Sequence, residues 1–431
     1  MNIEQIHKLF LKSTGIATDT RTLKKDQLFF ALKGENFNGN KFVDQALEKG
    51  AGYAVIDEPE MLKNDRCILV PDVLYNLQEL AGYHRKYLGI PILAITGSNG
   101  KTTSKELINA VLSKKFNTTA TVGNLNNHIG VPLSLLAMNS ATTFGIIEMG
   151  ANHAKEIAGL CEIAQPDYGY ITNFGKAHLE GFGSLEGVIK AKSELYEYLK
   201  THDKLIFLNA DDPIQQKHLS YKNTFSFGTS GNEDVVIKYN DNLTTAEVIQ
   251  KDKTYKSSLT GSYNSRNIAA AICIGLYFKV SIEEIGNAIA SYNPQNNRSQ
   301  IVKLGTITFL MDAYNANPTS MTAALESFHK YPVGNKTVIL GDMFELGETS
   351  AQEHQDIVNL VETMNFPRVF LVGSNFNNSS SHHETIEKFE SFSDLAKKIK
   401  ETNFDNSYIL VKGSRGMALE RILDILRNKT D

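Results

Sequence analysis

The chain has 431 residues, with 44 basic and 48 acidic side chains for a formal charge of −4, and 42% hydrophobic against 21% charged residues. Its length calls for two or three domains, because a single core rarely grows past about 250 to 300 residues, and its composition excludes intrinsic disorder. Charge this close to balance leaves no global basic field for nucleic acid or anionic lipid, and no apolar run approaches the roughly 20 residues of a membrane span.

The amino terminus, MNIEQIHKLFLKSTG, places polar residues every few positions and lacks the apolar core and cleavage site of a signal peptide. Short apolar strands follow to about residue 85 (QLFFALK, GYAVID and CILV), with one helix expected over KFVDQALEKGA at 41–51, a small α/β unit. From Ile90 strands and helices alternate: IPILAIT, a helix from Thr102, FGIIEM, a helix near 154–163, YGYIT, a helix over 184–200, then KLIFLN. Such alternation predicts parallel strands joined by crossover helices.

Polar, strand-like sequence spans about 223–260 and precedes an alanine-rich helix near Asn264. SYNPQNNRSQ at 291–300 has the composition of a linker. A second alternating series follows, with strands TITFLMDAY, KTVILGDM, RVFLVGS and SYILVKGS; it is Rossmann-like in organisation but has no G-x-G-x-x-G fingerprint. NNSSSHH at 377–383 reads as a polar loop. Cys67, Cys161 and Cys273 are far apart and lack metal-ligand spacing, so they read as small reduced core residues of a soluble cytoplasmic protein.

ILAITGSNGKTTSKELINAVL at 92–112 joins a β-branched strand, a glycine turn and a segment of helical period. That context makes Gly97, Ser98, Asn99 and Gly100 a phosphate-binding turn. Glycines let backbone N–H groups converge on phosphate oxygens, the helix amino terminus adds its positive end, and Lys101 neutralises the terminal phosphates. Thr102 offers a hydroxyl to magnesium, and Thr103 completes the set. Ile95 stands where the longer pattern G-x-x-x-x-G-K-[ST] has its first glycine, which points to a subclass.

Glu148 ends the strand FGIIEM, so its carboxylate should emerge at the carboxyl edge of the sheet, where an acid can hold magnesium; a solvated strand-end glutamate is the equal alternative. His178 lies in a glycine-bearing loop, where a lone histidine is more often exposed or hydrogen-bonded than a ligand. Lys192 stands in a helix with Lys190 and Lys200, and periodicity does not single it out.

ITGSNGKTT, IIEMGA, ITNFGKAHLEGFGS and AKSEL, in this order, resemble the ATP-dependent Mur ligases, amide-forming enzymes of peptidoglycan precursor synthesis, whose loop G-x-x-G-K-[ST] needs no glycine at Ile95. The likeness extends over nearly the whole chain. DAYNANPTSM at 312–321, GDMFELG at 341–347 and VKGSRGM at 411–417 are similar to segments of the branch that joins D-Ala-D-Ala to a UDP-N-acetylmuramoyl tripeptide. TDTR at 18–21 with FFALKGENFNG at 29–39 resembles that branch's uridine-nucleotide domain, and the D-N-P-R segment of the ligase that adds the third amino acid is absent.

The resemblance implies an α/β fold of three domains: 1–85 for the UDP-sugar, 86–296 as a central phosphate-loop ATPase on a mainly parallel sheet, and 297–431 as a Rossmann-like domain for the incoming dipeptide. It implies ATP at Lys101 and Thr102, two magnesium ions held with the help of Thr102, Glu148 and His178, and a carbamylated Lys192, since CO₂ turns an ammonium into an anionic oxygen ligand. It implies Asn267 at adenine, Arg298 near the phosphates and Asp312 at ribose, with Thr18, Asp19, Thr20, Asn315 and Asn317 on the substrates. Lys101, Glu148, His178 and Lys192 form the expected catalytic set of a monomeric protein. Two positions depart from the family: Tyr263 stands where histidine is common and Asn297 where glycine is common.

Arg415, in GSRGM at a strand-to-helix turn, is the candidate for the dipeptide carboxylate. Arg21 and Lys33 are candidates for the UDP-sugar, with plain surface charge an equal reading. The implied reaction phosphorylates a peptide carboxylate to an acyl phosphate, which the dipeptide amine attacks. Competing readings are another amide ligase of the superfamily, amino-acid-adding or folylpolyglutamate-type, and a switch protein that uses ATP for conformational change.

Overall fold

The computed structural model describes residues 1–240, 245–294 and 297–430, with no side-chain description for 428–430. Its centre is a seven-stranded sheet, in spatial order Val235–Val236, Thr224–Gly228, Leu205–Asn209, Tyr168–Ile171, Ile92–Thr96, Phe144–Glu148 and Thr118–Ala120. Every pairing is parallel. ILAIT and FGIIE are buried at every residue, the continuous apolar run that a parallel sheet covered on both faces demands.

Alternate residues of Ile92–Thr96 feed two cores. Ile92 and Ala94 pack with Leu160, Leu195 and Leu199 on one face, and Leu93 and Ile95 with Leu107, Val111 and Ile272 on the other. The strands pairing with Ile92–Thr96 on its two sides are Phe144–Glu148 and Tyr168–Ile171. The chain order therefore reverses about this strand, and a crevice opens beyond its carboxyl end.

The amino-terminal unit is a four-stranded parallel sheet of Ile16–Ala17, Leu28–Phe30, Tyr53–Ile56 and Cys67–Leu69. The helix expected over 41–51 is shorter, Val43–Glu48 entered through the 3₁₀ turn Gly39–Phe42. In this unit two helices escaped sequence reading, Ile3–Phe10 and Val73–Leu88. The second is capped by Asp72, whose side chain accepts from the Tyr75 N–H at 2.7 Å, and is ended by left-handed Gly89. It runs through the 85/86 boundary, and its Leu77, Leu80 and Ala81 share a core with Val131, Leu135 and Ile157 of the central unit. His7 and His84 meet across this helix pair at 3.0 Å, and His84 Nε2 lies 3.0 Å from the Met138 carbonyl. Burial holds both imidazoles below their ordinary pKa.

The stretch 223–260 divides between two sheets. Thr224–Gly228 and Val235–Val236 extend the parallel sheet, and Lys238–Tyr239, Thr245–Gln250 and Lys253–Thr260 form an antiparallel one; residues 241–244 lie outside the described residues. The helix expected near Asn264 is Tyr263–Tyr277. Of the expected linker, 295 and 296, and with them the 296/297 boundary, also lie outside the described residues, while Gln300 already belongs to a strand. Asn297 has φ 55°, a left-handed conformation that asparagine tolerates as glycine does.

The carboxy-terminal sheet runs Gln300–Leu304, Ile307–Asp312, Tyr408–Lys412, Lys336–Gly341, Arg368–Val372 and Ile386–Phe389, parallel except for the first hairpin. The polar stretch 377–383 begins in the last turn of the short helix Ser374–Asn378. All three cysteines are free and buried. Among the described residues no helix is long and apolar enough to cross a membrane.

Candidate active site

A cavity of ≈ 1190 Å³ sits over the carboxyl ends of the central strands, with walls from all three units: Tyr75 and Tyr83 from the first, the phosphate loop from the second, Tyr314 and Lys412 from the third. Its floor is the turn after Thr96. Gly97 has φ 140° and a side chain there would stand 2.0 Å from Thr172 Oγ1; Gly100 has φ 76° and opens the helix Lys101–Leu112. Glycine is required at both points. The loop is stitched to the exit of the neighbouring strand: Ser98 N–H donates to the Asn173 carbonyl at 3.0 Å, and Asn99 N–H to Asn173 Oδ1 at 3.0 Å. The Asn99 carbonyl accepts from Thr172 and Asn173, and Ser98 Oγ bonds the Gly175 backbone.

Lys101 folds over this turn and donates to the Gly97 carbonyl at 2.7 Å. Burial depresses its pKa and repulsion from Arg298 adds to the effect, against the pull of Glu148. Two cations thus share one enclosure, and among the described residues neither forms an ion pair with a carboxylate of its lining. Thr102 and Thr103 line the same cavity.

Glu148 is 2% exposed. Its Oε1 accepts from Thr102 Oγ1 at 3.2 Å and Asn126 Nδ2 at 2.9 Å, and its backbone N–H donates to Thr121 Oγ1. Oε2 is buried without a hydrogen-bond partner, 3.9 Å from the Lys105 ammonium. A buried, unmatched carboxylate oxygen beside a threonine hydroxyl fits a divalent cation. Among the described residues no group of three or more His, Cys, Asp and Glu converges. Magnesium needs no such cage, taking one or two carboxylates with phosphate oxygens and water.

His178, at φ 53°, precedes the short helix Leu179–Phe182. Its Nδ1 lies 2.5 Å from Glu345 Oε2 without the alignment of a hydrogen bond. A carboxylate beside Nδ1 is the arrangement that orients Nε2 toward a ligand. Lys192 is 1% exposed, its ammonium donating to the Ala151 carbonyl at 3.1 Å. Burial, then repulsion from Lys101, pushes its pKa well below that of an ordinary lysine, which favours the neutral, nucleophilic amine.

Asn267 buttresses the loop, its Oδ1 accepting from Ser104 Oγ and its Nδ2 donating to Asn264. Arg298 lies with its guanidinium carbon 3.6 Å from the Tyr314 ring centroid. Asp312 receives the buried Lys412 ammonium at 2.6 Å and the Ser299 N–H at 3.2 Å. Asn315 lines the cavity, and Asn317 caps helix Pro318–Lys330 while exchanging side-chain amide bonds with Asn99 at 2.8 and 3.3 Å. Tyr263 places its hydroxyl 2.7 Å from Ser299 Oγ on the cavity wall.

The remaining residues singled out in the sequence stand elsewhere. Thr18, Asp19, Thr20, Arg21 and Lys33 do not line the cavity. Arg21 forks onto Asp19, Thr20 bonds Gln45, and Lys33 bridges Asp57 and Glu58. Arg415 is also off the lining, exposed and 3.1 Å from Glu420. Sequence reasoning missed Asn126, Asn173, Lys412 and the cavity face of Val73–Leu88, which carries Tyr75, Tyr83 and Lys86. Asn173 and Lys412 stand inside the quoted segments ITNFGKAHLEGFGS and VKGSRGM without being singled out there, whereas Asn126 and the residues of Val73–Leu88 belong to no quoted segment.

Three family models match consecutive parts of the chain: the Mur ligase family catalytic domain over 12–96, the Mur ligase middle domain over 95–275, and the Mur ligase glutamate ligase domain over 297–415. The UDP-N-acetylmuramoyl-tripeptide–D-alanyl-D-alanine ligase of Bacillus subtilis is 36% identical over 429 residues, 95% of this chain and 92% of the relative. The Escherichia coli enzyme of the same name is 33% identical over 96% of this chain and 93% of its own. Among solved structures, MurF ligase from Thermotoga maritima in complex with ADP is similar at TM-score 0.85 and 28% identity, covering 98% of each chain. MurF from Acinetobacter baumannii is similar at TM-score 0.85 and 29% identity, covering 96% of this chain and 93% of that one.

Proposed function

This chain belongs to the Mur ligase family, and we propose that its cavity performs the ADP-forming ligation of D-Ala-D-Ala to a UDP-N-acetylmuramoyl tripeptide in peptidoglycan precursor synthesis. The protein is an ATP-dependent amide ligase, as relatives covering nearly its full length are named and as an ADP complex of a like fold supports. The observation that carries the reading is the enclosure of Lys101 and Arg298, cations without carboxylate partners among the described residues, above a glycine turn at a helix amino terminus.

A carboxylate becomes reactive toward an amine once the γ-phosphoryl of ATP has converted it to an acyl phosphate. Bringing a peptide carboxylate to a triphosphate sets like charges together, about 4 kcal/mol for unit charges 4 Å apart at an effective dielectric near 20. Lys101 and Arg298 offset that repulsion, and the loop N–H groups orient the phosphates. Thr102, Glu148 and His178 are the residues to hold magnesium, which supplies charge neutralisation at the transferring phosphoryl group. The depressed Lys192 amine attacks CO₂, forming an N–C bond with release of one proton, and the resulting carbamate is an anion in place of a cation. Asn267 faces adenine and Asp312 ribose. The tetrahedral adduct of dipeptide amine and acyl phosphate then expels phosphate.

In this reading 1–85 serves the UDP-sugar, 86–296 the ATP and 297–431 the dipeptide, whose carboxylate meets Arg415 when that guanidinium leaves Glu420. Asn315 and Asn317 line its path. Arg21 and Lys33 reach the UDP-sugar only by exchanging carboxylates for phosphates. Reduced buried thiols suit a cytoplasmic enzyme, and a monomer suffices because one chain supplies every wall.

The test incubates purified protein with ATP, magnesium, D-Ala-D-Ala and UDP-muramoyl tripeptides carrying either meso-diaminopimelate or L-lysine. Phosphate release should require both peptide partners, with a product of the summed mass less water. Release with ATP alone would overturn the reading in favour of a switch.

A further inference from the structure

Tyr314 is a residue of the cavity wall to which the reaction as described gives no task. Its ring carries the Arg298 guanidinium carbon at 3.6 Å from the centroid and that of Arg415 at 5.7 Å. Its hydroxyl has no hydrogen-bond partner among the described residues. Arg298 has equally little else to rest on: its Nε is buried without a partner, and no carboxylate among the described residues pairs with it. An arginine side chain has four free torsions and loses rotamer entropy when it is ordered. Something must hold this one, and among the described residues its charged end rests on the aromatic face.

We infer that Tyr314 is a positioning residue that presents Arg298 to the phosphates of the nucleotide, and holds Arg415 more loosely on the same ring; the inference rests on the ATP reading of the cavity. The ring does this without neutralising the charge. A carboxylate in its place would fix the guanidinium equally well and cancel the attraction for phosphate, whereas a π face steadies the cation and leaves its N–H edges for an anion. The two distances set a gradation. Arg298, in van der Waals contact, depends on the ring most, and Arg415, at the outer range of such contacts and paired with Glu420, depends on it least.

The experiment measures Mg·ADP binding by calorimetry, together with the KM values for ATP and D-Ala-D-Ala, for the full chain and for Tyr314→Leu, Tyr314→Phe, Arg298→Lys and Tyr314→Leu combined with Arg298→Lys. Tyr314→Leu should raise the Kd for Mg·ADP and the KM for ATP about 5- to 10-fold, the KM for D-Ala-D-Ala about 2-fold, and leave kcat within about 3-fold. Tyr314→Phe, which keeps the ring, should stay within about 2-fold throughout. Arg298→Lys keeps the charge but loses the planar stack, so it should weaken Mg·ADP comparably, and the double variant should be little worse than either single one. An unchanged Kd in Tyr314→Leu, equal losses in Leu and Phe, or full additivity in the double variant would each overturn the inference. If Tyr314→Leu fails to fold, the comparison of Phe with Arg298→Lys decides, since equal affinity in all three proteins removes any part for the stack. Wild-type protein that does not bind Mg·ADP defeats the ATP reading itself, a separate outcome.

Discussion

In the amino-terminal unit Arg21 lies 2.6 Å from Asp19, and Lys33 lies 2.9 and 3.1 Å from Asp57 and Glu58. In the central cavity Lys101 donates to two carbonyls of its own loop and Arg298 rests on an aromatic ring. Both regions carry basic side chains that the sequence suggests for phosphate, and they differ in what already answers the charge. The outer cations are exposed and their pairs screened by solvent to differing degrees, so each is worth little to stability and yet must be broken before an anion can take over. The inner cations repel one another in an enclosure where burial has already lowered the Lys101 pKa. There an incoming polyanion relieves strain in the charge distribution, whereas at the surface it only exchanges partners. Whether a basic residue is placed to bind is thus read from its lack of a carboxylate rather than from its exposure.

The strongest way to break this contrast is Lys101→Met, which keeps the length of the side chain and removes the charge. The kcat/KM for ATP should fall about 10³-fold with little change in melting temperature, followed by phosphate release and thermal unfolding. A loss under about 10-fold would mean that the cavity does not depend on its unpaired cation.

A third kind of basic group sharpens the comparison, one neither paired with acid nor offered to a ligand. Burial lowers the pKa of His7 and His84 below 6.5, so the folded state prefers both neutral while the unfolded chain takes up protons near 6.5. That stabilisation is full above about pH 6.5 and is lost as the pH falls below it, since the unfolded state then binds more protons. Urea midpoints measured at pH 7.5 and 5.5 should drop in the wild type, and drop less in His7→Asn. An equal drop in both proteins would place the acid sensitivity elsewhere.

The smallest effect is expected for Arg21→Ala. The KM for the UDP-muramoyl tripeptide should change by no more than about 3-fold, because that guanidinium is exposed and already held by Asp19. A 10-fold rise would show that the segment trades Asp19 for phosphate, and the line drawn between outer and inner cations would have to move.

Legibility in the sequence followed locality. The phosphate loop was readable because strand, turn and helix are consecutive in ILAITGSNGKTT, and the conformations at Gly97 and Gly100 are ones that glycine alone supplies cheaply. The parallel sheet was readable because two-sided burial writes an unbroken apolar run. Lys105 and Lys192 were not distinguishable from solvated helix lysines, since their burial depends on the elements that cover them: Lys105 reaches the Thr121 carbonyl and Lys192 the Ala151 carbonyl, 16 and 41 residues away. Val73–Leu88 was missed because it is mixed on every face, packing Leu77 and Leu80 inward while lining the cavity with Tyr75, Tyr83 and Lys86. The likeness of TDTR and FFALKGENFNG to a known domain identified a unit and could not say which of its side chains are already engaged with each other.

The exchange of amide bonds between Asn99 and Asn317 spans 218 residues of chain. During synthesis the phosphate loop leaves the ribosome long before its partner does, and at a few residues per second the delay is on the order of tens of seconds. Over that interval a nascent chain owns a glycine turn with no opposite wall, so a prematurely terminated product lacks the Arg298 and Tyr314 side of the cavity.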